Sequence, residues 1–135
     1  MRPTALAPLL VLATLLGGCG AGDDRSATRT VTERFYAAVR AQDGAGACAL
    51  LSKSALEELE TQSGQSCEDV ITRLRYEGGA IAAVGVFAVN AKVDLVSGES
   101  AFLSREPDGW RLSAVGCKPE EGKPADRPFE CEIAA

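Results

Sequence analysis

Five cysteines carry the most definite chemistry in this chain, and their placement points to two different reactions. Cys19 follows Leu16-Gly17-Gly18, a branched apolar residue and two small ones ahead of a thiol. That order suits a processing peptidase that cuts before Cys19 and leaves its sulfur to carry a lipid. Setting Cys19 aside leaves Cys48, Cys67, Cys117 and Cys131, an even number, which suits disulfide pairing in an exported chain. Four cysteines allow three connectivities. Cys48–Cys67 and Cys117–Cys131 are favoured, because each closes a short loop, worth on the order of 3 kcal/mol in the chain-entropy account. The competing chemistry is a metal site. The cysteine spacings are too long for one, there is no C-x-x-C, and the chain has no histidine. No metal and no cofactor are expected.

The remaining candidates are weaker. Tyr36, beside Phe35, has an apolar ring and one hydrogen-bonding tip, as the mouth of a pocket would need. Trp110 could line the same candidate pocket, although a tryptophan just after a turn more commonly packs within its strand. Asp94 would be a general base only if it faced a dry cavity. Its alternation with Val93 and Leu95 puts it on the opposite, solvated face. Glu57, Glu58 and Glu60 read as a wet helix surface. Lack of histidine removes the commonest general base, and no Ser-His-Asp arrangement, phosphate loop or basic aromatic patch is present. No catalytic residue is assigned.

The segment before Cys19 fits an export leader. Arg2 is a minimal basic start, and Leu6 to Leu16 is an apolar run too short to span a bilayer, which takes about 20 residues. Residues 1–18 are therefore expected to be removed. The leader carries one basic residue and no acid, so its loss moves the net charge from −5 to −6. An acidic chain is unsuited to nucleic acid or to an anionic lipid surface. Membrane attachment would then depend on the lipid at Cys19. Residues 19–25 read as a short lipidated tether, reaching roughly 20 Å when extended.

Residues 26–117 read as one α+β domain. An apolar stripe of Ala27, Val31, Phe35, Ala38 and Val39 predicts a helix over 26–42, capped by Ser26 or Thr28, with Thr30 and Glu33 as an alternative box. Residues 45–51 suggest a short helix containing Cys48. Ser54 to Glu57 matches a capping box that starts another helix, ended by Gly64. Ser66 opens a last helix with Cys67, Val70, Ile71 and Leu74 on one face, stopped at Gly78-Gly79. From Ala80 the period falls to 2. Strands are expected at 81–89, 90–96, 100–106 and from Trp110 to Gly116, with turns at Ser97-Gly98-Glu99 and Pro107-Asp108-Gly109. Helices first and an antiparallel sheet afterwards imply helices packed on one face of a sheet. Residues 118–135 read as an irregular tail, tied back through Cys131.

Val31-Thr32-Glu33-Arg34-Phe35-Tyr36-Ala37-Ala38-Val39, Asp43, Ala47-Cys48-Ala49-Leu50-Leu51 and Asp108-Gly109-Trp110-Arg111-Leu112 together resemble the nuclear-transport-factor-two-like superfamily, in particular its small exported lipoproteins. The resemblance covers most of residues 27–117. It implies a cone-like curved sheet wrapped on the first helix, a shape shared with ketosteroid isomerase and SnoaL-like cyclases. The fold implies no single activity. Two functions are compatible with it. One is a non-catalytic lipoprotein, held on the extracytoplasmic face of the cell membrane, that binds a small apolar ligand or an envelope protein. The other is an isomerase or cyclase using the cone.

Overall fold

A computed structural model describes residues 20–120 and 129–135. The element order is α1 (Ala21–Arg40), α2 (Gly44–Cys48), α3 (Lys53–Ser63), α4 (Cys67–Val70) with a 3-10 turn at Ile71–Arg73, then β1 (Ile81–Phe87), β2 (Asn90–Leu95), β3 (Ser100–Glu106), β4 (Gly109–Pro119), β5 (Phe129–Glu130) and β6 (Ile133–Ala134). The class is α+β. An open, curved antiparallel sheet runs β1-β2-β3-β4, and both β5 and β6 lie against β4.

Helix α1 begins five residues ahead of the expected start, so Ala21–Arg25 form its first turns rather than a slack tether. Two causes act together. Asp23 and Asp24 in the first turn complement the positive end of the helix dipole. Asp24 also pairs with Arg105 and accepts a 3.1 Å hydrogen bond from the Trp110 indole, which anchors the turn to the sheet. None of the expected caps acts as one. Thr28 and Thr32 are fully buried mid-helix, and their hydroxyls donate to the Asp24 and Thr28 carbonyls at 2.9 Å. The inward face is therefore Thr28, Thr32, Phe35 and Tyr36, rotated from the apolar stripe. The helix stops where Gln42 adopts φ 57, which lets the Asp43 amide bond back to the Ala38 carbonyl.

Asp43 caps α2 by accepting from the Gly46 amide, and the cap of α3 is Ser52, not Ser54. Ser52 sits there because the chain on either side of it is stitched to β4: Ser52 N–H donates to Leu112 C=O, and Leu112 N–H to Leu50 C=O. The expected last helix is much shorter. It ends at Arg73, and the chain extends from Leu74. Its start is held by Cys67, whose amide donates to Glu60 at 2.9 Å. Beyond Arg73 the chain follows the sheet instead, for a reason found at Glu99.

Strand alternation in β2 is as expected, with Ala91, Val93 and Leu95 buried. In β4 it breaks. Trp110 and Leu112 face inward, but the next inward residues are Val115 and Cys117, because the pairing with β3 slips between Leu112 and Ala114. An extra residue in a strand reverses which face the following side chains occupy. β4 also runs past Gly116 to Pro119, where the tail adds β5, and β6 lies along Ala114–Val115. The tail is thus part of the sheet. The core centres on Phe35, Ile71, Val93, Leu103, Leu112 and Val115. Sulfur pairs stand at 1.96 Å for Cys48–Cys67 and 2.10 Å for Cys117–Cys131. The first joins α2 to α4, and the second joins β4 to the tail.

Candidate functional site

The chemical centre of the domain is a carboxylate in a turn. Gly98, at φ 93, lets the chain reverse after β2, so that Glu99 enters the interior rather than solvent. Glu99 is fully buried. One of its oxygens accepts from the Glu77 amide at 2.7 Å. The other accepts from the Gly78 amide at 2.9 Å and from the Tyr36 hydroxyl at 3.4 Å. These bonds explain the extended path after Arg73, since a helix through residues 74–78 would have turned the two amides onto its own carbonyls. Gly78 must be glycine here. Its φ is 62, and a Cβ would stand 3.1 Å from the Tyr36 ring.

Phe35, Tyr36 and Tyr76 stack edge to face around this carboxylate, with centroids 5.4 to 6.2 Å apart. Burial, and then the charge of Glu99, pushes the Tyr36 phenol far above its ordinary range. Burial, followed by the charge of Glu132, does the same to Tyr76. Both therefore keep their protons at neutral pH. The Tyr76 hydroxyl is buried and has no partner among the described residues. At the surface, Lys118 pairs with Glu77, and the Arg75 amide donates to Glu132 at 3.2 Å. Beside them lies an open cleft of about 380 Å³, lined by Arg75, Gly116, Lys118, Glu130, Cys131 and Glu132.

Chemically, the cluster can donate protons in hydrogen bonds but has no spare base. Both Glu99 oxygens are taken, and drawing one toward a substrate would strip an amide of its acceptor.

Phe35 and Tyr36 lie together in this interior, but Trp110 does not join them. It is buried at the other end, donating to Asp24 with Arg105 over its ring at 5.3 Å. The three line none of the surface depressions described here. Asp94 sits on the outer face, bonded to Ser100 at 2.7 Å and to Lys92 at 2.8 Å. Those two bonds, Lys92 first, lower its pKa below the usual aspartate value. Glu57 and Glu58 are exposed, while Glu60 is committed to the Cys67 amide. Among the described residues, no three carboxylates, thiols or imidazoles gather as a metal would require. Cys19 and the expected leader, residues 1–18, lie outside the described residues.

Glu99 and Tyr76 were not legible as site residues. The nearest signal was the pair of adjacent glycines at 78 and 79, read as a helix stop, which in fact frees backbone amides for an acid. No protein-family model matches the chain, and neither a curated protein nor a solved structure matches it.

Proposed function

We propose that the mature chain is a non-catalytic binding domain, held by a lipid on Cys19 at the extracytoplasmic face of the cell membrane, with an envelope protein as its partner. The superfamily resemblance supports a small exported lipoprotein. The two sulfur pairs suit an oxidising compartment. No helix among the described residues is long and apolar enough to cross a membrane, so attachment in this reading falls to Cys19.

The observation that carries the choice of binding over catalysis is the packing around Glu99. An isomerase or cyclase needs its tyrosine and carboxylate at a cavity. Here the pair does converge, which is the one feature in favour of the enzyme reading. Glu99 and Tyr36 are nonetheless enclosed by side chains, and the carboxylate is consumed by its own backbone. The same filled interior favours a protein partner at the surface over a small apolar ligand within. Tethering both partners to one surface raises their effective concentration, so a weak contact suffices.

Native mass spectrometry of the full chain, extracted from a bacterial membrane, tests this reading. The expected species starts at a diacylated or triacylated Cys19, moves to the soluble fraction in Cys19→Ser, and carries no small molecule. An unmodified Cys19 overturns the anchor. A reproducibly bound small molecule overturns the filled interior.

A further inference from the structure

The sheet has two edges, and the chain treats them differently. The β4 side is covered by β5 and β6 and pinned by Cys117–Cys131. Among the described residues the β1 side is uncovered by any strand: β1 pairs with β2 alone. Half of the main-chain donors and acceptors of an edge strand point away from its neighbour. Proteins usually guard such an edge with lysine, proline, a bulge or a covering element; here the pairing with β2 slips once, between Ile81 and Ala83, and is regular from Ala83 to Phe87. Ile81-Ala82-Ala83-Val84-Gly85-Val86-Phe87 carries neither a charge nor a proline. Its small residues leave the backbone approachable.

Two features mark the ends of this edge. Beside Ala82, Ala83 and Val84, α1 contributes Arg25, Ser26 and Arg29 to a shallow groove of about 410 Å³. Arg25 has no carboxylate partner among the described residues, and Arg29 reaches Glu33 only at 3.7 Å with both side chains about half exposed. At the other end, Phe87 is 66% and Val89 57% exposed; Val96, just past β2, is the third exposed large apolar side chain among the described residues. The Phe87 ring lies over Gly85, where a Cβ would meet it at 2.9 Å.

We propose that β1 is a docking edge for an extended, acidic segment of another protein, which adds to the sheet as a further strand. Carboxylates of the segment meet Arg25 and Arg29, and an apolar side chain about four residues away along the strand, roughly 13 Å, meets Phe87. Charge selects this occupant over a second copy of the chain. Antiparallel pairing of two β1 strands about Val84 would gather both pairs of guanidinium groups at one seam, with no acid on β1 to meet them. The proposal rests on the reading of the domain as a binding module and names the chemistry of its partner. It does not depend on the lipid.

The test places a benzophenone amino acid at Ala82 in the full chain, in the membrane of its own host, with Glu57 on α3 and Arg75 at the cleft as reference positions. Irradiation is expected to give an adduct from position 82. The joined peptide, mapped by mass spectrometry, should carry aspartate or glutamate and have an apolar residue about four positions away. Arg25→Glu with Arg29→Glu should cut the yield at least about ten-fold, since like charges then face each other. Phe87→Ser, at an exposed site that leaves the core intact, should cut it several-fold. An adduct with a second copy, an adduct with lipid, or a yield indifferent to charge reversal overturns the proposal. So does the absence of any adduct at position 82. Adducts from position 75 without any from 82 would refute the edge while sparing the binding reading, and an unacylated Cys19 with the expected adduct would refute the lipid anchor while sparing the edge.

Discussion

Two carboxylates tie the helical layer to the sheet, one at each end of α1, and they do so in opposite surroundings. Glu99 reaches from the sheet into a dry interior and holds two backbone amides and a phenol. Asp24 reaches from the helix to the rim, where it holds the Trp110 indole and the half-exposed Arg105 guanidinium. Water can replace the partners of Asp24 if it is lost. Water has no such access to the Gly78 amide and the Tyr36 hydroxyl that Glu99 holds, both of which are buried. The same residue chemistry is thus structural determinant at one end and modest fastening at the other, and the difference is solvent access.

Glu99→Ala should be the most damaging single change. It strands the buried Gly78 amide and Tyr36 hydroxyl and frees the Glu77 amide, at a cost of about 3–5 kcal/mol. Urea unfolding checks this. Glu99→Gln keeps one acceptor oxygen and should lose roughly half as much. A loss under about 1 kcal/mol for Glu99→Ala would put the two ends on the same footing and break the comparison.

Alkali offers a second measure of the buried end. The chain has two tyrosines, Tyr36 and Tyr76, and both lie in this cluster. Each has a folded-state pKa raised above its unfolded value near 10. Their contribution to stability is complete below pH 10 and falls as pH rises above it, because the unfolded chain releases those protons first. Absorbance at 295 nm should show no tyrosinate until the domain unfolds, and then both ionising in one step. Independent ionisation of either phenol near pH 10 in the folded protein would mean that the interior is wet.

The outline of this fold was legible where a single period or a single turn residue decides. The buried face of β2, the turns at 97–99 and 107–109, and the break at Gly64 follow from local chemistry. Three features were not, and each has a non-local cause. Ser52 rather than Ser54 caps α3 because residues 50 and 52 bond to Leu112, sixty positions away. The last helix stops at Arg73 because the amides of Glu77 and Gly78 are claimed by Glu99. The inward face of α1 is centred on two threonines, whose hydroxyls satisfy themselves within the helix and so are tolerated in the core. A glutamate in a turn looks the same in sequence whether it is bathed in water or enclosed. The site residue Glu99 was missed for that reason, while Trp110 was grouped with Phe35 although it packs at Asp24, eleven residues earlier along α1.

At the rim, Asp24→Ala should cost about 1 kcal/mol, for one charge-assisted indole bond and one exposed ion pair. Part of that loss should disappear in high salt, which weakens the Arg105 pairing already in the parent. The same salt should leave the Glu99→Ala difference unchanged. Thermal unfolding of parent and variant at two ionic strengths makes the measurement. A salt-independent Asp24 effect would show that the indole bond alone fastens the helix.

Asp94 sets the lower limit of the scale, as a carboxylate with good partners but ample water. Lys92 and Ser100 lower its pKa, so its contribution is present above the ordinary aspartate value and is lost as pH falls through the lowered one. Its side chain is 39% exposed, so solvent screening shrinks the effect to a few tenths of a kcal/mol. Lys92→Met should therefore change stability at pH 7 by less than about 0.5 kcal/mol and flatten the acid limb of the stability curve only slightly. Urea unfolding between pH 2 and pH 7 reads both quantities. If Lys92→Met costs as much as Asp24→Ala, then partner geometry rather than water access ranks these carboxylates, and the contrast between the two ends of α1 needs a different cause.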